Sequence, residues 1–316
     1  MNTINEKSII NTYSVSNENI ITESSAKSEN MVEVDDTAAI LNLSEDAFGD
    51  GVVTVKNNWE RAISSTEIIA TQNNLRTLGF YNGGNTGYVS TEMQNSIRNF
   101  QKVYGMAETG SLTQNVYDKV REVTIKYNNI YNSNTLNTLA LNSDFALDVT
   151  QKKNFALIWT FLDKSMGLDG NKIVGVMANI RAESAFSSDN LQDPYGGPIT
   201  IHDPNYEYNT ADEKGYGILQ WTLRTRKEGL EEMAGTMGLE VSDINAQLAY
   251  FRKEMTTNFN NLYYTEPWER LKNTDNYIDV CDLFMEEIEQ PDTLNYSERR
   301  AYANTIYTIM NSGGFV

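Results

Sequence analysis

Glu183 is the residue whose position in the sequence best suits acid–base chemistry. Residues 171–184 (NKIVGVMANIRAES) repeat apolar side chains at helical spacing, with Glu183 at the margin of the stripe that holds Ile173, Met177 and Ile180. Glu183 also falls in the last helical turn, where the negative end of the helix dipole disfavours a carboxylate anion. Desolvation acts in the same direction, so we expect its pKa to be raised. A raised pKa lets a carboxyl group hold a proton near neutral pH and donate it as a general acid.

Other kinds of catalysis lack the residues that they need. The chain has one histidine, His202, and one cysteine, Cys281. Zinc hydrolases take several histidine or cysteine ligands, so no metal is implied, and nothing points to another cofactor. Cys281 lies in an amphipathic helical pattern that predicts a buried structural thiol. His202 stands in a loop-like HDPN context without a nucleophile elbow, and we expect a surface or hydrogen-bonding role. Any enzymatic activity therefore uses carboxylates.

The charge of the chain restricts its partners. The formal net charge is −18 and the sequence pI is about 4.5, so nucleic acid phosphates and anionic membrane surfaces should repel the chain. No apolar run approaches the roughly 20 residues that cross a bilayer, which argues against membrane insertion. Residues 1–10 lack a basic segment followed by an apolar core, so we expect synthesis in the cytoplasm without a secretory signal.

Composition and periodicity divide the chain into four segments, in order residues 1–65, 66–122, 123–150 and 151–316. The first is acidic and rich in Asn and Ser, and its first 30 residues are typical of a disordered tail. The second holds three helical patterns, the third indicates a linker, and the fourth is dense in helical periodicity. Within the fourth, prolines and glycines interrupt residues 190–217 and allow a small β-hairpin. The predicted fold class is mainly α, with a small three-helix domain ahead of a larger α-rich domain.

The second segment carries three motifs in a fixed order. They are L-x-x-L-G-F-Y at residues 75–81, T-x-x-x-x-x-I-x-x-F-Q at residues 91–101 and G-x-x-x-T-G-x-L at residues 105–112. In this register the segment resembles the three-helix peptidoglycan-binding domain that is found beside many cell-wall hydrolases. The alternative is a small helical spacer with the same core pattern.

The surroundings of Glu183 also carry motifs. A glutamate at the edge of a helix face is most often simply solvated, so these motifs decide its interpretation. ANIRAESAF (residues 178–186) is followed by GYGILQWT (215–222), RTRKEGL (224–230), QLAYFRKEM (247–255) and ERRAYANTIY (298–307). Over about residues 154–308 the chain resembles the phage-tail-type lysozyme family. It is more distantly similar to lytic transglycosylases, which pair an E-S-x-F helix end with a G-x-x-Q segment.

The resemblance implies an α-rich lysozyme fold with a sugar cleft between two lobes. It implies that Glu183 is the general acid and that Ser184 orders the end of its helix. The GYGILQWT segment would form the opposite wall of the cleft. There Gln220 offers a donor and an acceptor to an N-acetyl group, and Tyr216 and Trp221 offer stacking faces to sugar rings. Ordinary core packing is the alternative role for Trp221.

A second catalytic carboxylate is harder to identify. Hydrolysis by a lysozyme uses a partner acid roughly 5–9 Å from the first. Asp203, Glu207, Asp212 and Glu213 all precede the GYGILQWT segment, and Asp212 and Glu213 are the first choices because they stand just before its turn. A lytic transglycosylase needs no such partner, because a group of the substrate does that work.

Three functions follow from the resemblance. The first is a muramidase that hydrolyses the bond between N-acetylmuramic acid and N-acetylglucosamine. The second is a lytic transglycosylase that leaves 1,6-anhydro ends, and the third is a non-catalytic wall-binding or virion structural protein. The expected partner is bacterial peptidoglycan. The expected setting is an endolysin that a holin releases, or a lysin that the phage tail carries.

Overall fold

The computed structural model describes residues 20–22, 32–34, 62–192, 206–258 and 263–316, in two units that divide after Ala62. In the first unit, strand β1 (Ile20–Thr22) pairs antiparallel with strand β2 (Val32–Val34), so that Ile20 lies opposite Val34. Apart from β1, the tail predicted to be disordered lies outside the described residues.

The second unit is built from helices. They are α1 (Ser65–Thr77), α2 (Thr91–Val103), α3 (Gln114–Tyr131), α4 (Asn134–Leu141), α5 (Val149–Lys164), α6 (Gly170–Ser184), α7 (Arg224–Met237), α8 (Ile244–Thr256), α9 (Thr265–Lys272), α10 (Tyr277–Phe284) and α11 (Tyr296–Ser312). A π-helical turn (Met285–Glu289) continues α10. The mainly α fold class is confirmed. The sequence allowed a small β-hairpin within residues 190–217. The described residues of this region contain two isolated β-bridges, Leu191 with Tyr216 and Tyr216 with Trp221.

Helices α1 to α3 form the small domain that the second segment predicted. Each begins at a residue whose hydroxyl accepts a backbone N–H of the first turn, namely Ser64, Ser90 and Thr113. Their core is aromatic, with the rings of Phe100 and Tyr104 stacked at 4.6 Å between centroids. The apolar motif positions Leu75, Leu78, Ile97 and Phe100 are fully buried in this core.

The prediction that residues 123–150 are a linker is wrong. Helix α3 continues to Tyr131, and α4 follows after a short turn. The many Asn and Thr residues obscured an apolar stripe at helical spacing, whose members Val123, Tyr127 and Ile130 are buried. Helix α3 packs along α5 and α4 packs along α11, so this segment joins the two domains through a shared core.

Polar side chains also connect the three-helix domain to the rest of the unit. The Asn245 amide donates to the Leu78 carbonyl oxygen at 3.1 Å. The Asn99 amide donates to the carbonyl oxygen of Met237 at 2.9 Å, and the Ser165 hydroxyl donates to that of Val103. These bonds link the ends of α1 and α2 to α5, α7 and α8. None of the described helices combines the length and apolar character needed to cross a membrane.

Helix α6 lies against α10 and α11, and this packing sets the position of Glu183. A Cβ atom at Gly175 would lie 2.5 Å from Val280 Cγ1, so only glycine lets α10 approach this closely. One turn later the buried Asn179 amide donates to the Cys281 carbonyl oxygen at 2.9 Å. The last turn of α6 is therefore held against the other two helices.

Candidate active site

Glu183 is the second-last residue of α6, as the apolar pattern predicted. After Ser184 the chain turns sharply, because Ala185 and Phe186 both adopt left-handed backbone conformations, with φ of 48° and 68°. Such conformations are costly for residues other than glycine and tend to occur at functional sites. Phe186 is fully buried and packs edge-on against Phe155 at 5.1 Å, which holds the turn in place.

The Glu183 carboxylate is bound by an arginine from α11. Arg299 donates to Glu183 through Nη2, and through Nη1 to Glu289 at 2.6 Å and to Asn179 at 2.7 Å. The side chains of Arg299 and Glu289 are 6% and 4% exposed, whereas that of Glu183 is 18% exposed. We call Glu183, Glu289 and Arg299 the acid cluster. Within it, Glu183 has the largest exposed fraction.

Glu289 is the last residue of the π-helical turn and is followed by Gln290, which has a φ of 52°. Its carboxyl group accepts from Arg299, the same guanidinium group that donates to Glu183. Burial raises the pKa of Glu289 well above its ordinary value, the negative charge of Glu183 raises it further, and Arg299 opposes both effects. For Arg299, burial alone would lower the pKa, but the charges of Glu289 and Glu183 outweigh burial and raise it.

Ser184 and Gln220 connect the helix end to the GYGILQWT segment. The Ser184 hydroxyl is within hydrogen-bonding distance of the carbonyl oxygens of Ile180 and Ile218, at 3.2 and 3.1 Å. The Gln220 amide donates to the carbonyl oxygens of Asn190 and Gly217, at 3.2 and 2.9 Å. Ser184 therefore joins the segment to the end of α6, and Gln220 joins it to Asn190 in the loop that follows α6. In the described contacts, the side-chain amide N–H groups of Gln220 donate to backbone carbonyl oxygens.

The two aromatic residues of this segment lie in the core. Tyr216 is 7% exposed and packs between the rings of Tyr206 and Tyr208, at 5.7 and 5.1 Å. Trp221 is fully buried and donates its indole N–H to the Glu254 carboxylate at 2.8 Å. Trp221 thus has no free face for a sugar, and the core alternative describes its position. Residue type alone predicted stacking, but burial depends on contacts with residues distant in the sequence.

The two predicted second carboxylates are placed differently from each other. Asp212 accepts hydrogen bonds from the buried Lys227 ammonium group and from the Tyr206 hydroxyl. Burial alone would raise the pKa of Asp212, but these two donors outweigh burial and lower it. Glu213 is exposed, with a φ of 55°. No hydrogen bond or ion pair in the described part of the chain joins either residue to Glu183. Of the other two candidates, Glu207 is exposed and Asp203 lies outside the described residues, as does His202.

Arg299 and Glu289 were not identified from the sequence, although a signal for each was present. Arg299 continues the buried stripe of α11 formed by Ala303, Ile306 and Met310. Glu289 stands four residues after the buried Met285. A charged residue on an apolar stripe needs a partner, so two such residues of opposite sign are candidates for a buried pair.

Comparison with known protein families agrees with the resemblances drawn from the motifs. The phage tail lysozyme family model matches residues 153–310, a range that contains the whole acid cluster. The family model of a peptidoglycan binding domain matches residues 64–120, which cover α1, α2 and the beginning of α3. No curated protein and no solved structure gives a significant match.

Proposed function

Because the chain belongs to the phage tail lysozyme family, we propose that it is a muramidase with Glu183 as its general acid. The two matched families support peptidoglycan degradation by a lysozyme-like enzyme with a peptidoglycan-binding domain. The finer proposal is that the enzyme hydrolyses the bond between N-acetylmuramic acid and N-acetylglucosamine. The observation that carries it is the placement of a partly exposed Glu183 against Arg299 at the end of α6.

Two features of Glu183 support its proposed role as the general acid. Its side chain is the most exposed of the acid cluster, so a glycosidic oxygen can approach it. Its position is fixed by Arg299, by the Ser184 hydroxyl and by the left-handed turn at Ala185. A preorganised acid loses little freedom on reaching the transition state, which favours proton transfer within a bound complex.

The proposed reaction begins with proton transfer from Glu183 to the glycosidic oxygen. The bond between that oxygen and the sugar carbon then breaks, and its electron pair leaves with the oxygen. The resulting oxocarbenium-like sugar faces a carboxylate, whose charge stabilises it. Water adds to the sugar carbon and releases a proton, which restores the acid.

A lytic transglycosylase is the second candidate. The observation that favours it is the ion pair between Asp212 and Lys227. Asp212 is a first choice for the second catalytic carboxylate, and this pair gives it a structural partner instead. In this reaction the C6 hydroxyl of the substrate attacks the sugar carbon in place of water. Only hydrolysis adds the mass of water to the products, so fragment masses distinguish the two reactions.

The test is digestion of peptidoglycan by wild type, Glu183→Gln and the control Glu298→Gln, with mass spectrometry of the fragments. Glu298 adjoins Arg299 but is exposed. We expect reducing muropeptides from wild type and from the control, and a loss of about 10²-fold or more in Glu183→Gln. Anhydro fragments would establish the transglycosylase. Binding of wall without glycan cleavage by the wild type would overturn both enzymatic functions and leave a wall-binding protein.

We place this activity at the bacterial cell wall, reached either from a phage tail or after release by a holin. The family description supports the tail setting. Proteomic analysis of purified virions distinguishes the two settings, because a tail component co-purifies with particles in fixed stoichiometry and a released lysin does not.

A further inference from the structure

We propose that Glu183 and Glu289 share one proton at neutral pH, and that Glu289 is a positioning residue which keeps this proton available to Glu183. The proposal rests on the proposed role of Glu183 as the general acid. It adds a residue that lies 106 positions away in sequence and does not itself reach the substrate, being 4% exposed.

The charge balance of the acid cluster supports such a proton. With both carboxyl groups ionised, one arginine would face two carboxylates in a region with little access to water. One bound proton makes the cluster neutral, and two adjacent carboxyl groups cannot readily ionise together. Arg299 donates to both carboxyl groups, so its single positive charge is divided between them.

The hydrogen bonds lead to the same conclusion. Oε2 of Glu289 accepts from Arg299, while Oε1 is buried without a donor among the described residues. The Glu289 and Glu183 carboxyl groups accept from the same guanidinium group, so they lie beside each other. An ionised Glu289 would leave Oε1 as a buried acceptor without a donor, whereas a protonated Oε1 can itself donate to a neighbouring carboxylate.

The neighbouring groups supply no second cation. On α10 the Cys281 thiol is neutral, since burial raises its pKa to about 12. Asp282 of the same helix is paired with Arg300.

The acidic groups of the π-helical turn also have partners elsewhere. Glu287 is paired with Arg270 of α9, and Glu286 accepts from the Tyr296 hydroxyl. The Asn179 side chain, from α6, is uncharged. Arg299 is therefore the cation that faces the two carboxyl groups in the described part of the chain.

The π-helical turn places Glu289 in this position. The Gln290 backbone N–H donates to the Met285 carbonyl oxygen at 2.9 Å, five residues back, and the chain then leaves the helix through a left-handed residue. Turns of this kind often occur at functional sites. An uninterrupted α-helix would rotate Glu289 relative to Arg299, so the local backbone and the cluster depend on each other.

The shared proton gives Glu289 a defined part in the reaction. As Glu183 gives its proton to the glycosidic oxygen, the pair loses its single proton and the cluster changes from neutral to one net negative charge. That charge faces the developing sugar cation. The attacking hydroxyl, from water or from the sugar, then releases a proton to the pair. No external acid or base is consumed.

The test is the pH–activity profile of Glu289→Gln, with Glu286→Gln on the same turn as the matched control. In Glu289→Gln, Arg299 acts on Glu183 without a second carboxyl group. We expect the descending limb of the profile to move about one to two pH units lower, a loss of about 10- to 100-fold at neutral pH that acidic pH restores. The control should follow wild type. A uniform loss at every pH, or no change, would overturn the proposal.

A second measurement does not depend on activity. Urea unfolding midpoints of wild type and Glu289→Gln, taken between about pH 5 and 8, report whether the native state holds an extra proton. We expect the wild-type midpoint to fall more steeply with rising pH than that of the variant. Equal slopes would overturn the shared proton even if the protein cleaved no glycan. If the wild type were inactive but its unfolding midpoint still fell more steeply with pH than that of the variant, the proposed function would be rejected and the shared proton would be supported.

Discussion

Glu183 and Arg299 are separated by 116 positions in the sequence, yet they form the ion pair around which the candidate active site is organised. Helices α6 and α11 bring them together, and the residues between them include all of α7 to α10. The pair therefore depends on the packing of the whole domain. Changes at Arg299, or in the packing of α6, should be measurable in both stability and activity.

Replacement of Arg299 by Met should destabilise the protein strongly. The substitution leaves Glu183 and Glu289 without their cation, and loss of one partner of a buried ion pair costs about 3–5 kcal/mol in the free energy of unfolding. Arg300→Met is the matched control, because Arg300 is adjacent and pairs with Asp282 at an exposed position. Urea unfolding at neutral pH measures both. If the two variants lost similar stability, Arg299 would not be a central contact of the domain.

Replacement of Gly175 by Ala should displace the last turn of α6. The added methyl group would lie 2.5 Å from Val280 Cγ1 and 2.8 Å from the Cys281 backbone nitrogen. Such overpacking costs about 1–3 kcal/mol and should also lower activity. Gly235→Ala in α7 is the control, since no atom lies within 4 Å of its added carbon, and it should stabilise the protein by about 0.5–1 kcal/mol. Thermal unfolding compares the two. A neutral Gly175→Ala would contradict the close approach of α6 and α10.

Replacement of Asp212 by Asn should cost stability in a pH-dependent way. The side chain of Lys227 is fully buried, and the variant removes the carboxylate that pairs with its ammonium group. This loss should lower the free energy of unfolding by about 3–5 kcal/mol. Because the folded-state pKa of Asp212 is lowered, its contribution is present above the unfolded-state value and disappears as pH falls through the folded-state value. The difference between wild type and variant should therefore be large at pH 7 and shrink in acid.

The same variant separates a structural role for Asp212 from a catalytic one. Glu213→Gln is the control, because Glu213 is exposed and makes no described ion pair. A structural Asp212 predicts that Asp212→Asn, assayed well below its unfolding temperature, keeps its activity per folded molecule. A loss of about 10²-fold or more in a fully folded variant would instead support the prediction of a second catalytic carboxylate.

Local patterns in the sequence were enough to predict some features and not others. The helix that carries Glu183 in its last turn follows from its apolar stripe, and the three-helix domain follows from its motifs. The shared proton depends on Glu289, which is placed by a π-helical turn that α-helical periodicity does not anticipate. Trp221 is likewise buried among residues distant in the sequence, and its indole N–H bonds to Glu254, 33 positions away. Such relationships arise from tertiary packing, so single-segment patterns do not contain them.

Replacement of Trp221 by Phe tests whether this residue supports the core or binds sugar. Its indole N–H donates to Glu254, which also receives two hydrogen bonds from Arg226. Trp159→Phe is the matched control, because Trp159 is equally buried but its ring N–H has no partner among the described residues. Both variants lose similar volume, and Trp221→Phe alone loses a hydrogen bond to a charged group. We expect Trp221→Phe to be less stable than Trp159→Phe by about 1.5–3 kcal/mol, measured by urea unfolding.

The same variant also tests sugar binding. At temperatures below its unfolding transition, the KM of Trp221→Phe for soluble glycan fragments should equal that of wild type. A raised KM at unchanged stability would show that the Trp221 ring contacts sugar, and the core assignment would then be wrong.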